Sequence, residues 1–91
     1  MYKLLLEKPV QKFLDKHKWE ILINQFEIAL LSLMNDPYDN DLDIKIISGL
    51  PNSYRLRIWK YRFLYEIIED TISISFFKAG SRWEVYNQIN Y

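Results

Sequence analysis

The feature that most constrains this chain is a change of hydrophobic period near Ile44. Upstream, apolar residues recur every three to four positions; downstream, they recur at every second one. Val10, Phe13, Leu14 and His17 form one stripe of a short helix that Pro9 opens and that ends near Lys18. Trp19 to Asn35 predicts a longer helix with Leu22, Phe26, Leu30 and Leu33/Met34 on one side, closed by Asp36-Pro37. Ahead of both, Tyr2–Lys8 reads as a strand. Beyond the switch, Ile44–Ile47 is a short extended piece and Gly49–Ser53 a turn. Tyr54–Trp59, Arg62–Ile68 and Ile72–Ala79 read as strands, and Gly80-Ser81 breaks the last, leaving a tail from Arg82 to Tyr91. The order β-α-α-β-β-β predicts an α+β fold over residues 1–91. One antiparallel sheet carries an N-terminal helical hairpin on one face, in a single domain.

Composition narrows the class. There is no cysteine, so no disulfide framework holds the chain, and 49% hydrophobic residues exclude a disordered one. The longest apolar run, Ile28–Leu31, is far short of the roughly 20 residues that span a bilayer, and the first residues lack a signal-peptide pattern. A cytoplasmic domain with no membrane association is expected.

Charge balance conceals an asymmetry. Twelve Lys+Arg offset twelve Asp+Glu, yet residues 1–43 carry five lysines against eight acids, and the second half is correspondingly basic. Strand alternation says where those cations point. Tyr54, Leu56 and Ile58 face one way, Arg55, Arg57 and Trp59 the other; Phe63, Tyr65 and Ile67 oppose Arg62, Leu64 and Glu66. If the apolar sets meet the helices, Arg55, Arg57 and Arg62 share the opposite face. Guanidinium groups suit phosphate oxygens, and side-by-side cations cost free energy that a polyanion, or a local partner such as Glu66, offsets. Trp59 and Phe77 on the same face, with Lys78, make candidate RNA contacts by stacking and charge.

Other patterns carry less. The second helix has an extra apolar stripe, Ile21, Ile28 and Leu31. Packing against the first helix accounts for it most simply, and a partner-protein contact is the alternative. The Pro37–Asp43 loop holds three aspartates without the spacing of a calcium loop and reads as a solvated connector. His17 sits on a helix stripe as a boundary residue. No metal-ligand set, nucleophile–base pair or phosphate-binding glycine loop is present, so no metal or cofactor is expected.

The stretch from Gly49 through Ile58, then Tyr61-Arg62-Phe63-Leu64-Tyr65-Glu66-Ile67, resembles the central hairpin of toxins of the RelE/ParE superfamily. Gly80-Ser81-Arg82-Trp83-Glu84-Val85-Tyr86 is similar to the family's closing segment, and the upstream order agrees. Within that superfamily, RelE-type proteins are ribosome-dependent endoribonucleases that cleave mRNA in the A site, whereas ParE-type proteins inhibit DNA gyrase. The resemblance implies a metal-independent RelE-type mRNA interferase of a type II toxin–antitoxin system. Its catalytic set falls on Arg55, Arg57, Arg62, Arg82 and Tyr86. A RelB-like antitoxin, the ribosome and mRNA are the implied partners, with Ile21, Ile28 and Leu31 as candidate antitoxin contacts. A gyrase inhibitor and a catalytically inactive antitoxin-binding relative are the alternatives.

Cleavage by 2′-OH attack needs a proton acceptor, charge stabilisation at the phosphorane and a proton for the 5′-oxygen. The arginines supply the second; a guanidinium with pKa above about 12 is a poor base. Tyr86, acidified by neighbouring arginines, or Glu66 is the candidate base, and Lys78 a candidate acid.

Overall fold

The computed structural model describes residues 1–88, with side chains as far as Val85. Strand β1 (Lys3–Leu6) leads into helix α1 (Lys8–Lys16), and helix α2 (Leu22–Asn35) follows. Strands β2 (Ile44–Ile46), β3 (Ser53–Ile58), β4 (Tyr61–Ile68) and β5 (Ser73–Ser81) come next, then helix α3 (Arg82–Gln88). The sheet order is β1-β5-β4-β3-β2. The α+β architecture expected from the periods is the one observed, with one refinement. β1 lies parallel to β5, while every other pair is antiparallel. The chain between β1 and β5, helices α1 and α2 and three strands, is ample for the crossover that a parallel pair requires.

Proline in the first turn of α1 costs nothing, because its missing N–H has no helical acceptor there. α2 begins at Leu22, three residues later than the apolar pattern alone implies. The Glu20 N–H donates to the His17 carbonyl, so Trp19 and Glu20 belong to the interhelical turn, and Trp19 is 90% exposed. Val10 and Phe13 of α1 and Leu22, Phe26, Ala29 and Leu33 of α2 bury one sheet face. They meet Leu56 of β3, Phe63, Tyr65 and Ile67 of β4, and Ile74 and Phe76 of β5. An unbroken ribbon of rings crosses this core. Tyr54 stacks on Tyr65 at 5.6 Å, Tyr65 lies 5.0 Å from Phe76, and Phe76 meets Phe26 edge-on at 5.4 Å. Phe26 stacks on Phe63 at 4.4 Å, and Phe63 meets Phe13 at 5.4 Å. His17 closes the ribbon against Phe13 and Tyr61, with Nδ1 bound to Glu20, the boundary role its stripe position implies.

The hairpin between β3 and β4 turns on Trp59-Lys60, and Trp59 adopts a left-handed φ of 61°. A two-residue hairpin turn needs positive φ at its first central position to match strand twist, so a bulky residue here accepts strain that glycine would avoid. At the far end Tyr2 and Tyr38 both donate to the carboxylate of Glu69. That clasp ties the chain start, the loop after α2 and the turn before β5.

The extra stripe on α2 does not pack against α1. Ile28 and Leu31 are 67% and 65% exposed, and Ile21 is exposed at the helix start. Leu14, Ile23 and Leu30 line the groove between the helices instead. Ile23 and Leu30 occupy the flank of α2 that faces Leu14 of α1, so Ile28 and Leu31 are left exposed.

A candidate arginine site on the second sheet face

The face away from the helical hairpin is organised in rows set by strand register. Lys45, Arg55, Leu64 and Lys78 lie opposite one another across four strands. The next row is Arg57, Arg62 and Gly80. Arg57 and Arg62 are direct cross-strand partners, which places their Cβ atoms roughly 4.5–5.5 Å apart. The three arginines therefore share one face, as alternation predicts.

A β-bulge shapes the row beside them. Leu64 pairs with Lys78 but Tyr65 pairs with Phe76, so Phe77 is the extra residue and turns to the same side as Lys78. Phe77 then packs with Leu50 against Ile47, Leu64 and Val85, a small second core beneath α3. This ring is partly buried, with much of its surface spent on that packing. Trp59, at 59% exposure, keeps an accessible ring, but from the hairpin turn rather than the strand face.

Helix α3 is the element that the tail assignment missed. Its start is a reciprocal cap: the Glu84 N–H donates to Ser81 Oγ at 3.3 Å, and the Ser81 N–H donates to Glu84 Oε1 at 3.1 Å. The bond from the Ser81 backbone holds the Glu84 carboxyl below its ordinary pKa. Ser81-Arg82-Trp83-Glu84 carries the S-x-x-E signature, so a sequence signal for this helix existed. Gly80 permits the fold-back, because a Cβ there would stand 3.2 Å from Glu84 Cβ. Arg82 is the exposed first residue of α3, two positions beyond Gly80. Tyr86 lies within α3; its side chain falls outside the described residues.

The local counter-ion is Asp43, not Glu66. Asp43 Oδ2 accepts from Arg57 Nε at 2.6 Å and Oδ1 accepts from Arg55 Nη2 at 3.1 Å. Hydrogen bonding from Arg57 above all, with the charge of both guanidiniums, holds the Asp43 carboxyl below its usual range despite some desolvation. The acidic loop is thus more than a solvated connector: Pro37 is buried, Tyr38 joins the Glu69 clasp and Leu42 packs on the core. Its last residue belongs to the site, and a carboxylate so stabilised as the anion is a poor proton acceptor. Glu66 sits four residues along β4 from Arg62, about 13 Å at strand rise, and pairs across the sheet with Ser53 and Ser75.

Exposure differs sharply within the set. Arg55 is 7% exposed, whereas the Arg57 side chain is half-exposed. Arg62 is half-buried, and its Nε and Nη1 are buried without a hydrogen-bond partner among the described residues. Donors of a charged group left in that state cost free energy, roughly 1–3 kcal/mol or more, that an incoming anionic oxygen would recover. No helix among the described residues is long and apolar enough to cross a membrane.

Neither a protein-family model nor a curated protein matches the sequence. Solved structures do match. The chain is similar to one in the RelB–RelE antitoxin–toxin complex from Methanococcus jannaschii, with 29% identity, 93% of this chain and 98% of that one covered, and a TM-score of 0.76. The intact E. coli RelBE complex matches with 18% identity over 89% of this chain and 96% of that one, at a TM-score of 0.75. The isolated E. coli RelE toxin matches with 19% identity over 97% and 94%, at 0.68. These likenesses span nearly the whole chain, and they agree with the strand and helix order described above: this protein has the fold of the RelE-type toxins.

Proposed function

We propose that the protein is the toxin of a type II toxin–antitoxin system, acting in the cytoplasm as a ribosome-dependent endoribonuclease that cleaves mRNA. The observation that carries this reading is the cross-strand pair Arg57–Arg62 beside Arg55, with the inner nitrogens of Arg62 unpartnered among the described residues. Two adjacent guanidiniums repel each other, and a bound phosphate relieves both that repulsion and the unsatisfied donors. Arg57 and Arg62 are the groups placed to hold the scissile phosphate and the developing phosphorane charge. Arg55, buried and tied to Asp43, supports Arg57 from beneath. Arg82 and Tyr86 enter from α3 as further contacts, and Lys45 and Lys78 extend the positive row. A site rich in charge stabilisers and poor in bases suits an enzyme whose substrate is positioned by another particle, since orientation alone contributes several kcal/mol.

The matched RelB–RelE complexes support a RelB-like antitoxin as partner. The exposed Ile21, Ile28 and Leu31 stripe offers it an apolar surface, and the arginine row offers an anionic segment a masking site.

Arg62→Ala tests the reading. Induced wild-type protein is expected to arrest growth and produce cleaved transcripts visible by primer extension. The variant, with an unchanged circular dichroism spectrum, is expected to cleave at least 100-fold more slowly. Undiminished cleavage by the variant, or arrest with blocked DNA supercoiling and intact mRNA, would overturn it.

A further inference from the structure

Asp43 is fixed on three sides. Its main-chain carbonyl accepts the Arg57 N–H at 2.9 Å, which extends the β2–β3 ladder by one residue, and each carboxylate oxygen takes a different guanidinium. The consequence lies in which nitrogens remain. A guanidinium can grip an oxyanion side-on, through Nε and one Nη, or end-on, through both Nη groups. Asp43 consumes Nε of Arg57, so only the end-on fork is left for a ligand. The same carboxylate neutralises one of the two β3 charges. Affinity for a polyanion alone would be better served without it, so its presence trades binding strength for geometry.

We infer that Asp43 is a positioning residue for RNA cleavage, aiming Arg57 end-on at the scissile phosphate through the shared Asp43–Arg55–Arg57 bridge. This rests on the nuclease reading. Arg55 gives the bridge its stiffness: its charge is buried, so its ion pair with Asp43 is not easily exchanged for water.

The test is Asp43→Asn, compared with wild type in translation-coupled cleavage and in binding to a single-stranded oligoribonucleotide. Removing one negative charge is expected to tighten oligonucleotide binding several-fold at low salt and to steepen its salt dependence. The kcat is expected to fall about 10–100-fold, because a displacement near 1 Å carries a cost of that order. The Arg57 Nε–H resonance is expected to be sharp and slow to exchange in the wild type and to broaden or vanish in the variant. Should Asp43→Asn not fold, Asp43→Glu decides. It keeps the charge but shifts the fork by one methylene, and is expected to lower kcat several-fold at unchanged KM.

Full kcat in a folded variant, or a kcat that rises together with affinity, overturns the positioning role; the second result would make Asp43 a mask over the site. A wild-type protein that cleaves no mRNA overturns the nuclease reading itself, and this inference with it.

Discussion

The two faces of the sheet are built on opposite principles. The helix-covered face is filled by a ribbon of rings from Tyr54 to Phe13, most of them fully buried, and is held by packing, with the Tyr65 hydroxyl buried there without a hydrogen-bond partner among the described residues. The second face is divided. Ile47, Leu64, Phe77 and Val85 make a small apolar plug with α3, and beside it stand Arg55, Arg57 and Arg62, of which Arg55 is buried as a core residue would be. One face has apolar area to spare; the other spends its area on holding charge. A small domain can carry costly, partly unsatisfied cations on one side of a sheet because the other side supplies most of the stability.

Phe63→Ala should break that asymmetry most. Phe63 is fully buried between Phe26 and Phe13, and its truncation is expected to cost about 3–5 kcal/mol in chemical denaturation. Cleavage per folded molecule should be little changed, since Arg55, Arg57 and Arg62 lie on the other face of the sheet. A large loss of specific activity without loss of stability would contradict the division of labour.

Ser81→Ala probes the other side. Losing the cap is expected to destabilise by about 1 kcal/mol, yet to reduce cleavage more than that figure suggests if, as proposed, Arg82 and Tyr86 of α3 contribute to the site. Equal small effects on both would detach α3 from function.

The smallest effects lie in pH, and they separate the faces by sign. Asp43 and Glu84 have lowered native pKa values, so their contribution is present above the ordinary carboxylate range near pH 4 and is lost as pH falls through those lowered values. Tyr38 is raised by its bond to Glu69, Tyr2 likewise, and Tyr65 by burial. Their contribution is present below about pH 10 and lost as pH rises beyond it. Acid is therefore expected to loosen the arginine face first, followed through the Arg57 Nε–H signal, and alkali the Tyr2–Tyr38–Glu69 clasp, followed through tyrosine absorbance.

What was legible in the sequence follows from the range of each interaction. Period-two alternation placed Arg55, Arg57 and Arg62 on one face, because a strand leaves side chains no other choice. Helix stripes located Val10, Phe13, Leu22 and Phe26 in the core for the same local reason. Asp43 was not legible: its partners are twelve and fourteen residues away and become neighbours only when β2 pairs with β3. Phe77 lies on the face that alternation gives it, but its cover by Val85 of α3 was not legible, and the bulge opposite Leu64/Tyr65 is what turns Lys78 to that same side. The fate of Ile21, Ile28 and Leu31 depended on the angle at which α1 meets α2, which no local pattern encodes.

The parallel seam between β1 and β5 has a temporal consequence. Lys3 meets Ser73 and Leu6 meets Phe76, so the first strand has no in-sheet neighbour until residues some seventy positions later have been made. Joining ends that far apart carries an entropic cost of about 4 kcal/mol from the logarithmic term alone, recovered only once the fifth strand arrives. A nascent chain on the ribosome is thus held unfinished through most of its elongation. On the proposed reading, in which the protein acts on translation, that delay would keep the molecule harmless to the very particle assembling it.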